Sequence, residues 1–120
     1  MGDAILIRDL RVLARCGALP EEHERPQPFD IDLDVFTDMA RASETDDLAD
    51  TIDYGELTAA VVERVTTGHV TLLERLAAVI AEVVLVDERV SEVTVEVRKV
   101  RPPLPHDVAT TGVRITRDRP

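Results

Sequence analysis

The chain has 120 residues, 44% of them hydrophobic, and this length and content suit one packed domain covering residues 1–120. A formal charge of −10, with only 2% aromatic content and no Trp, argues against nucleic-acid and membrane partners: phosphate backbones and anionic lipid are repelled, and stacking platforms are missing. The lone Cys16 cannot pair within the chain, no apolar run approaches the roughly 18–20 residues of a membrane span, and no signal-peptide layout is present, so a cytosolic (cytoplasmic) protein is expected.

Residues 5–14 are aliphatic and partly alternating, which predicts a long strand with a bulge near Asp9, ended by Cys16 and Gly17. Three prolines between residues 19 and 28 predict a loop. Phe29, Ile31, Leu33 and Val35 then alternate with Asp30, Asp32 and Asp34, the pattern of a half-buried strand with one acidic face. Residues 37–50 read as a loop holding at most one short helical turn. Leu57, Val61, Val62 and Val65 fall at helical spacing from Tyr54 to about residue 67, and Gly68 closes that helix. A second helix is predicted over residues 72–86, started by a Thr71-Leu72-Leu73-Glu74 capping box.

A third strand follows over residues 93–99, and its alternation places Lys99 on the same face as Val93, Val95 and Val97. After a proline-rich turn, a fourth strand is predicted over residues 108–117. The order ββ–αα–ββ predicts an α+β fold, a four-stranded antiparallel sheet with two helices on one face. Its other face would carry Asp30, Asp32, Asp34, Glu96, Arg98, Arg114 and Thr116, either as solvated surface or lining a passage inside a ring of subunits. So small a subunit has little room for a deep pocket of its own, which favours a site built between subunits.

The familiar motif classes are silent. Asp30, Asp32 and Asp34 could ligate a hard cation, but a solvated strand face explains them more simply. His23, His69 and His106 are scattered without the spacing of a zinc site, and Cys16 has no CxxC partner. Four residues remain. Glu22 sits in an acidic loop that surface solubility would explain, Tyr54 is explained by ordinary packing, and Glu74 by its capping box. Lys99 is harder to dismiss. It is the only Lys among 14 basic residues, and an ammonium at the end of an apolar row is in a setting that disfavours charge unless it snorkels to water.

Four segments, Gly17-Ala18-Leu19-Pro20-Glu21-Glu22, residues 47–55 around Asp53-Tyr54-Gly55, Leu72-Leu73-Glu74-Arg75-Leu76-Ala77, and Lys99-Val100-Arg101-Pro102-Pro103-Leu104-Pro105, together resemble dihydroneopterin aldolase in order and spacing. The resemblance spans essentially the whole chain. It implies the tunnelling fold, in which ββααββ subunits form rings and two tetrameric rings stack into a homo-octamer. It also implies a lyase of folate biosynthesis that cleaves 7,8-dihydroneopterin into 6-hydroxymethyl-7,8-dihydropterin and glycolaldehyde, with no cofactor, metal or Schiff base. By position, Glu74 and the Leu73 backbone would bind the amino-pyrimidine edge of the pterin, Lys99 would donate and accept protons, Tyr54 would handle a proton at the reacting carbon from an adjacent subunit, and Glu22 would bind substrate and work with the lysine. Cys16 stands where many, though not all, members have His, a change that carries no weight; Val100-Arg101 is atypical, and this bears on substrate choice. Two alternatives remain open: a dihydroneopterin triphosphate epimerase, with Arg25 or Arg101 near the charged tail, and a non-catalytic pterin-binding ring.

Overall fold

A computed structural model of the chain describes residues 2–119. Its elements run in the order β1 (Ala4–Cys16), α1 (Pro20–Glu24), β2 (Gln27–Phe36), α2 (Ala40–Thr45), a 3-10 turn (Leu48–Asp50), α3 (Tyr54–Val65), β3 (His69–Val70), α4 (Leu73–Val84), β4 (Glu92–Lys99) and β5 (Thr111–Asp118). The sheet order is β3-β1-β2-β4-β5. The four long strands pair antiparallel as the alternation predicts, but the sheet has five strands and is mixed. The fifth, β3, is a two-residue edge strand parallel to β1 through Arg15–His69 and Cys16–Val70. Two residues carry too little periodicity for a strand to be read from sequence.

The bulge in β1 decides which side chains reach the core. The register jumps from Ile7–Leu33 to Leu10–Ile31, so one extra residue of β1 is accommodated, and Asp9 takes a left-handed φ of 53°. Its N–H donates to Asp32 Oδ1 at 2.8 Å, which ties the bulge to β2. Ile5 and Ile7 before the bulge, and Val12, Ala14 and Cys16 after it, therefore face the same side despite opposite sequence parity. Against that side α3 buries Leu57, Val61 and Val65, and α4 buries Leu76, Ala77, Ile80, Ala81 and Val84. A fully buried side chain such as Ile80 contributes about 1.5–3 kcal/mol to holding α4 on the sheet.

Four local expectations need correction. The proline-rich segment contains α1, because Pro20 fits the first turn of a helix, where no backbone N–H donor is required. The segment 37–50 folds into both α2 and the 3-10 turn, whose N-terminal Asp47 accepts from Ala49 N–H. The capping box does not form. The cap position of α4 falls on Leu72, which puts Glu74 one residue too early to reach back, and no side chain caps the helix. β5 begins at Thr111, since residues 101–110 remain irregular.

On the opposite sheet face the acidic triplet is neutralised by arginines. Asp30 accepts two bonds from Arg11 at 2.7 and 2.9 Å, Asp32 pairs with Arg98 at 2.9 Å, and Asp34 Oδ1 lies 2.7 Å from Arg8 Nη1. Glu96 joins the row by accepting from Arg114 at 2.8 Å. A shallow groove of about 380 Å³ on this face is lined by Arg8, Asp32, Asp34, Thr94, Glu96 and Arg114. Each Asp is thus engaged by a guanidinium, which gives the strand face a simpler role than cation ligation.

Candidate active site

Three strand rows on the helix-covered face end at the same place. Antiparallel pairing sets Ala14 opposite Gln27 and Phe29 opposite Lys99, so Cys16, Gln27 and Lys99 gather at one end of the sheet. The rows behind them are apolar and buried: Val12 and Ala14, then Phe29, Ile31 and Leu33, then Val93, Val95 and Val97. α1 turns Glu22 back over this end and buries it to 3% exposure, while Lys99 keeps 9%. Their side chains meet, with Lys99 Nζ donating to Glu22 Oε2 at 2.6 Å across 77 residues of chain.

The Glu22 carboxylate is held by three donors and a close backbone approach. Gln27 Nε2 donates to the same Oε2 at 3.2 Å, and Leu19 N–H donates to Oε1 at 3.3 Å. Gly17 lies directly against it: a Cβ there would fall 2.2 Å from Glu22 Cδ. Burial pushes the Glu22 carboxyl up, but the Lys99, Leu19 and Gln27 hydrogen bonds and the Lys99 charge outweigh it and leave the group below the ordinary glutamate range. Burial also pushes the neighbouring Cys16 thiol up to about 11, with Lys99 opposing and Glu22 and Glu74 adding to the rise.

From this pair an open cleft of about 430 Å³ extends to the start of α4, lined by Leu19, Glu22, Leu73, Glu74, Lys99 and Leu104 among others. The first turn of α4 leaves the Leu73 and Glu74 N–H groups without intrahelical partners, as at any helix start. Glu74 is exposed beside them. One end of the cleft therefore carries a carboxylate and free N–H donors suited to an amide-like heterocycle edge. The other carries an ammonium–carboxylate pair able to hold or move a proton, and apolar walls lie between.

The profile of the FolB dihydroneopterin aldolases matches residues 5–116. This chain belongs to the dihydroneopterin aldolase family. Among its relatives, the dihydroneopterin aldolase of Methylorubrum extorquens is 36% identical over 120 residues, covering 99% of this chain and 92% of the relative. The crystal structure of a family member from Vibrio cholerae superposes with a TM-score of 0.90 at 30% identity, over 98% of both chains. The E. coli enzyme, solved in complex with neopterin, superposes at 0.87 with 29% identity, over 96% of this chain and 98% of that one.

Of the residues singled out in the sequence, the fold brings Glu22, Leu73, Glu74 and Lys99 to one cleft. Neither Arg25 nor Arg101 is among its lining residues; the cationic side chain there is Lys99. Tyr54 stands apart. It opens α3 just after Asp53, whose carboxylate caps Gly55 and Glu56 N–H, and it is 66% exposed rather than packed into the core. Two residues escaped the sequence reading. Gln27 extends the inward row of Phe29, Ile31 and Leu33 by one alternation, the same signal that marks Lys99 on β4. Gly17 gives no sequence sign of its close approach, because the carboxylate it touches is placed by α1.

Proposed function

We propose that this protein cleaves 7,8-dihydroneopterin by a retro-aldol reaction, releasing 6-hydroxymethyl-7,8-dihydropterin and glycolaldehyde in folate biosynthesis. The observation that carries the reading is the buried Lys99–Glu22 pair at 2.6 Å, opening into the same cleft as Leu73 and Glu74. Glu74 accepts the amino-pyrimidine N–H groups and Leu73 contributes its backbone, an arrangement that fixes the ring plane. A base removes the proton of the second side-chain hydroxyl, the bond between the first and second side-chain carbons breaks, and the electron pair passes into the C=N group of the pterin. The enamine so formed takes a proton at the first side-chain carbon to complete the hydroxymethyl product. Lys99, Glu22 and bound water carry these transfers, and the pterin itself serves as electron sink, so the scheme needs no metal, cofactor or Schiff base.

Tyr54 enters in this reading from a neighbouring copy, as the group that handles the proton at the reacting carbon. Its exposure beside a polar helix start, away from its own chain's cleft, supports that assignment. So do the sheet's long outer edges, β5 and the part of β1 not covered by β3, which can pair between copies into a ring and then a homo-octamer of two stacked rings. The cytosolic setting expected from Cys16 belongs to the same reading, since the buried thiol requires no oxidising compartment.

The test is direct. Purified protein given 7,8-dihydroneopterin in the presence of a chelator should release glycolaldehyde, and Lys99→Ala should lower kcat by about 10²–10⁴-fold. A Lys99→Ala variant turning over at the wild-type rate overturns the assignment.

A further inference from the structure

The Glu22 carboxylate depends on contacts made elsewhere in the chain. Its helix α1 has five residues, starting at Pro20 and ending two positions before Pro26, so it is too short to hold a direction by itself. Position is imposed instead by Gly17 beneath the carboxylate and by three donors, Lys99 and Gln27 on Oε2 and Leu19 N–H on Oε1. These donors differ in kind. An ammonium engaged in proton transfer loses its charge during the reaction, and its bond to a carboxylate then falls from charge-assisted to ordinary strength. The Gln27 amide has no such change of state. An ionised carboxylate only accepts, so the amide presents its nitrogen to Oε2 whatever Lys99 carries.

Gln27 is well placed for such constancy. It opens β2, is paired to Ala14 of β1, and is half-buried in the inward row that continues through Phe29. It is not among the residues lining the cleft, and its side-chain amide meets Glu22 instead.

We propose that Gln27 is a positioning residue, whose side-chain amide keeps the Glu22 carboxylate in place through the step in which Lys99 gives up its proton. This inference rests on the aldolase reading for its kinetic consequence, but not for its structural one. When Nζ delivers its proton to the enamine carbon, the new C–H bond takes the electron pair of the enamine, and the nitrogen keeps its lone pair. At that moment Oε2 retains one donor whose state has not changed, Gln27. Without it only Leu19 N–H, on the other oxygen, still holds the carboxylate at unchanged strength, Oε2 can swing toward the cleft, and reprotonation of Lys99 slows.

The experiment compares wild-type protein with Gln27→Met, which keeps length and bulk but donates nothing, and with Gln27→Glu, which sets a second carboxylate against the first. Two readouts are taken: steady-state kinetics on 7,8-dihydroneopterin across pH, and titration of the Glu22 carboxyl carbon by NMR in the ligand-free protein. The expected result for Gln27→Met is a kcat lower by about 10- to 100-fold, KM little changed because Glu74 and Leu73 still hold the ring, and a Glu22 titration moved to higher pH. Gln27→Glu should move that titration further in the same direction. A role in packing alone predicts wild-type kcat and an unmoved titration in Gln27→Met, and that outcome overturns the proposal. If the wild-type protein does not cleave dihydroneopterin, the aldolase reading fails while the NMR titration still decides Gln27: a Glu22 titration that moves upward supports its hold on the carboxylate, and one that stays put refutes it.

Discussion

Gly17→Ala is the smallest change that should disable the site. The added Cβ would sit 2.2 Å from Glu22 Cδ and 2.3 and 2.5 Å from its two oxygens, where ordinary contact begins near 3.4 Å. The backbone of β1 is fixed by pairing with β2 and β3, so the flexible carboxylate yields, by about 1.2 Å or more. A displacement of that size away from Gly17 takes Oε2 out of hydrogen-bond range of both Gln27 and Lys99, now 3.2 and 2.6 Å away. Losing a hydrogen bond between charged partners costs about 1.5–3 kcal/mol, and the Lys99 ammonium is left buried without its anion. Expressed in the transition state, the same energy is a loss of about 10- to 150-fold in kcat. Glycolaldehyde release reports the rate, and calorimetric Tm the stability. A Gly17→Ala protein with wild-type kcat and Tm would show that the carboxylate is not held where the fold puts it.

Three further outcomes follow from the same geometry. Cys16 is fully buried with its thiol raised to about 11, so a disulfide reagent at pH 8 should leave the native protein unlabelled and modify one thiol only after denaturation; rapid labelling of folded protein contradicts this. The hydrogen bonds from Arg11 and Arg98 hold the Asp30 and Glu96 carboxyls below their ordinary values, so their stabilisation is complete above the unfolded values of about 4 and is lost as pH falls through the lower folded ones. Tm should therefore drop on acidification below about pH 4, and Arg11→Leu should lessen the drop; an Arg11→Leu curve parallel to wild type refutes that origin. Finally, Lys99→Ala and Tyr54→Phe proteins, each impaired alone, should regain activity when unfolded and refolded together, because mixed assemblies contain sites with both residues intact. Mixtures no more active than their parents would place Tyr54 outside the shared site.

The strand rows and both long helices were legible because burial of one face writes a period of 2 or 3.6 directly into the residue order. That periodicity also exposed Lys99 as a cation out of place, and it could have exposed Gln27 in the same way. Local rules served less well where neighbours compete. Thr71 and Glu74 have the spacing of a capping box, yet the helix starts one residue later than the box requires. The five-residue α1 hid in a stretch whose prolines read as loop, and β3 was too short to leave a pattern.

What the order of residues determined, then, is the α+β architecture, the inward and outward faces, and the set of chemically unusual side chains. What only the tertiary structure decided is who stands beside whom. The Glu22–Lys99 contact spans 77 residues, the Gly17 approach depends on how α1 folds back, and Tyr54 is turned away from its own cleft. Periodicity records whether a side chain meets core or water, a property of each residue singly. Pairing is a property of two, and it is fixed only when strand register, the Asp9 bulge and the docking of α1 and α4 bring distant segments to the same end of the sheet.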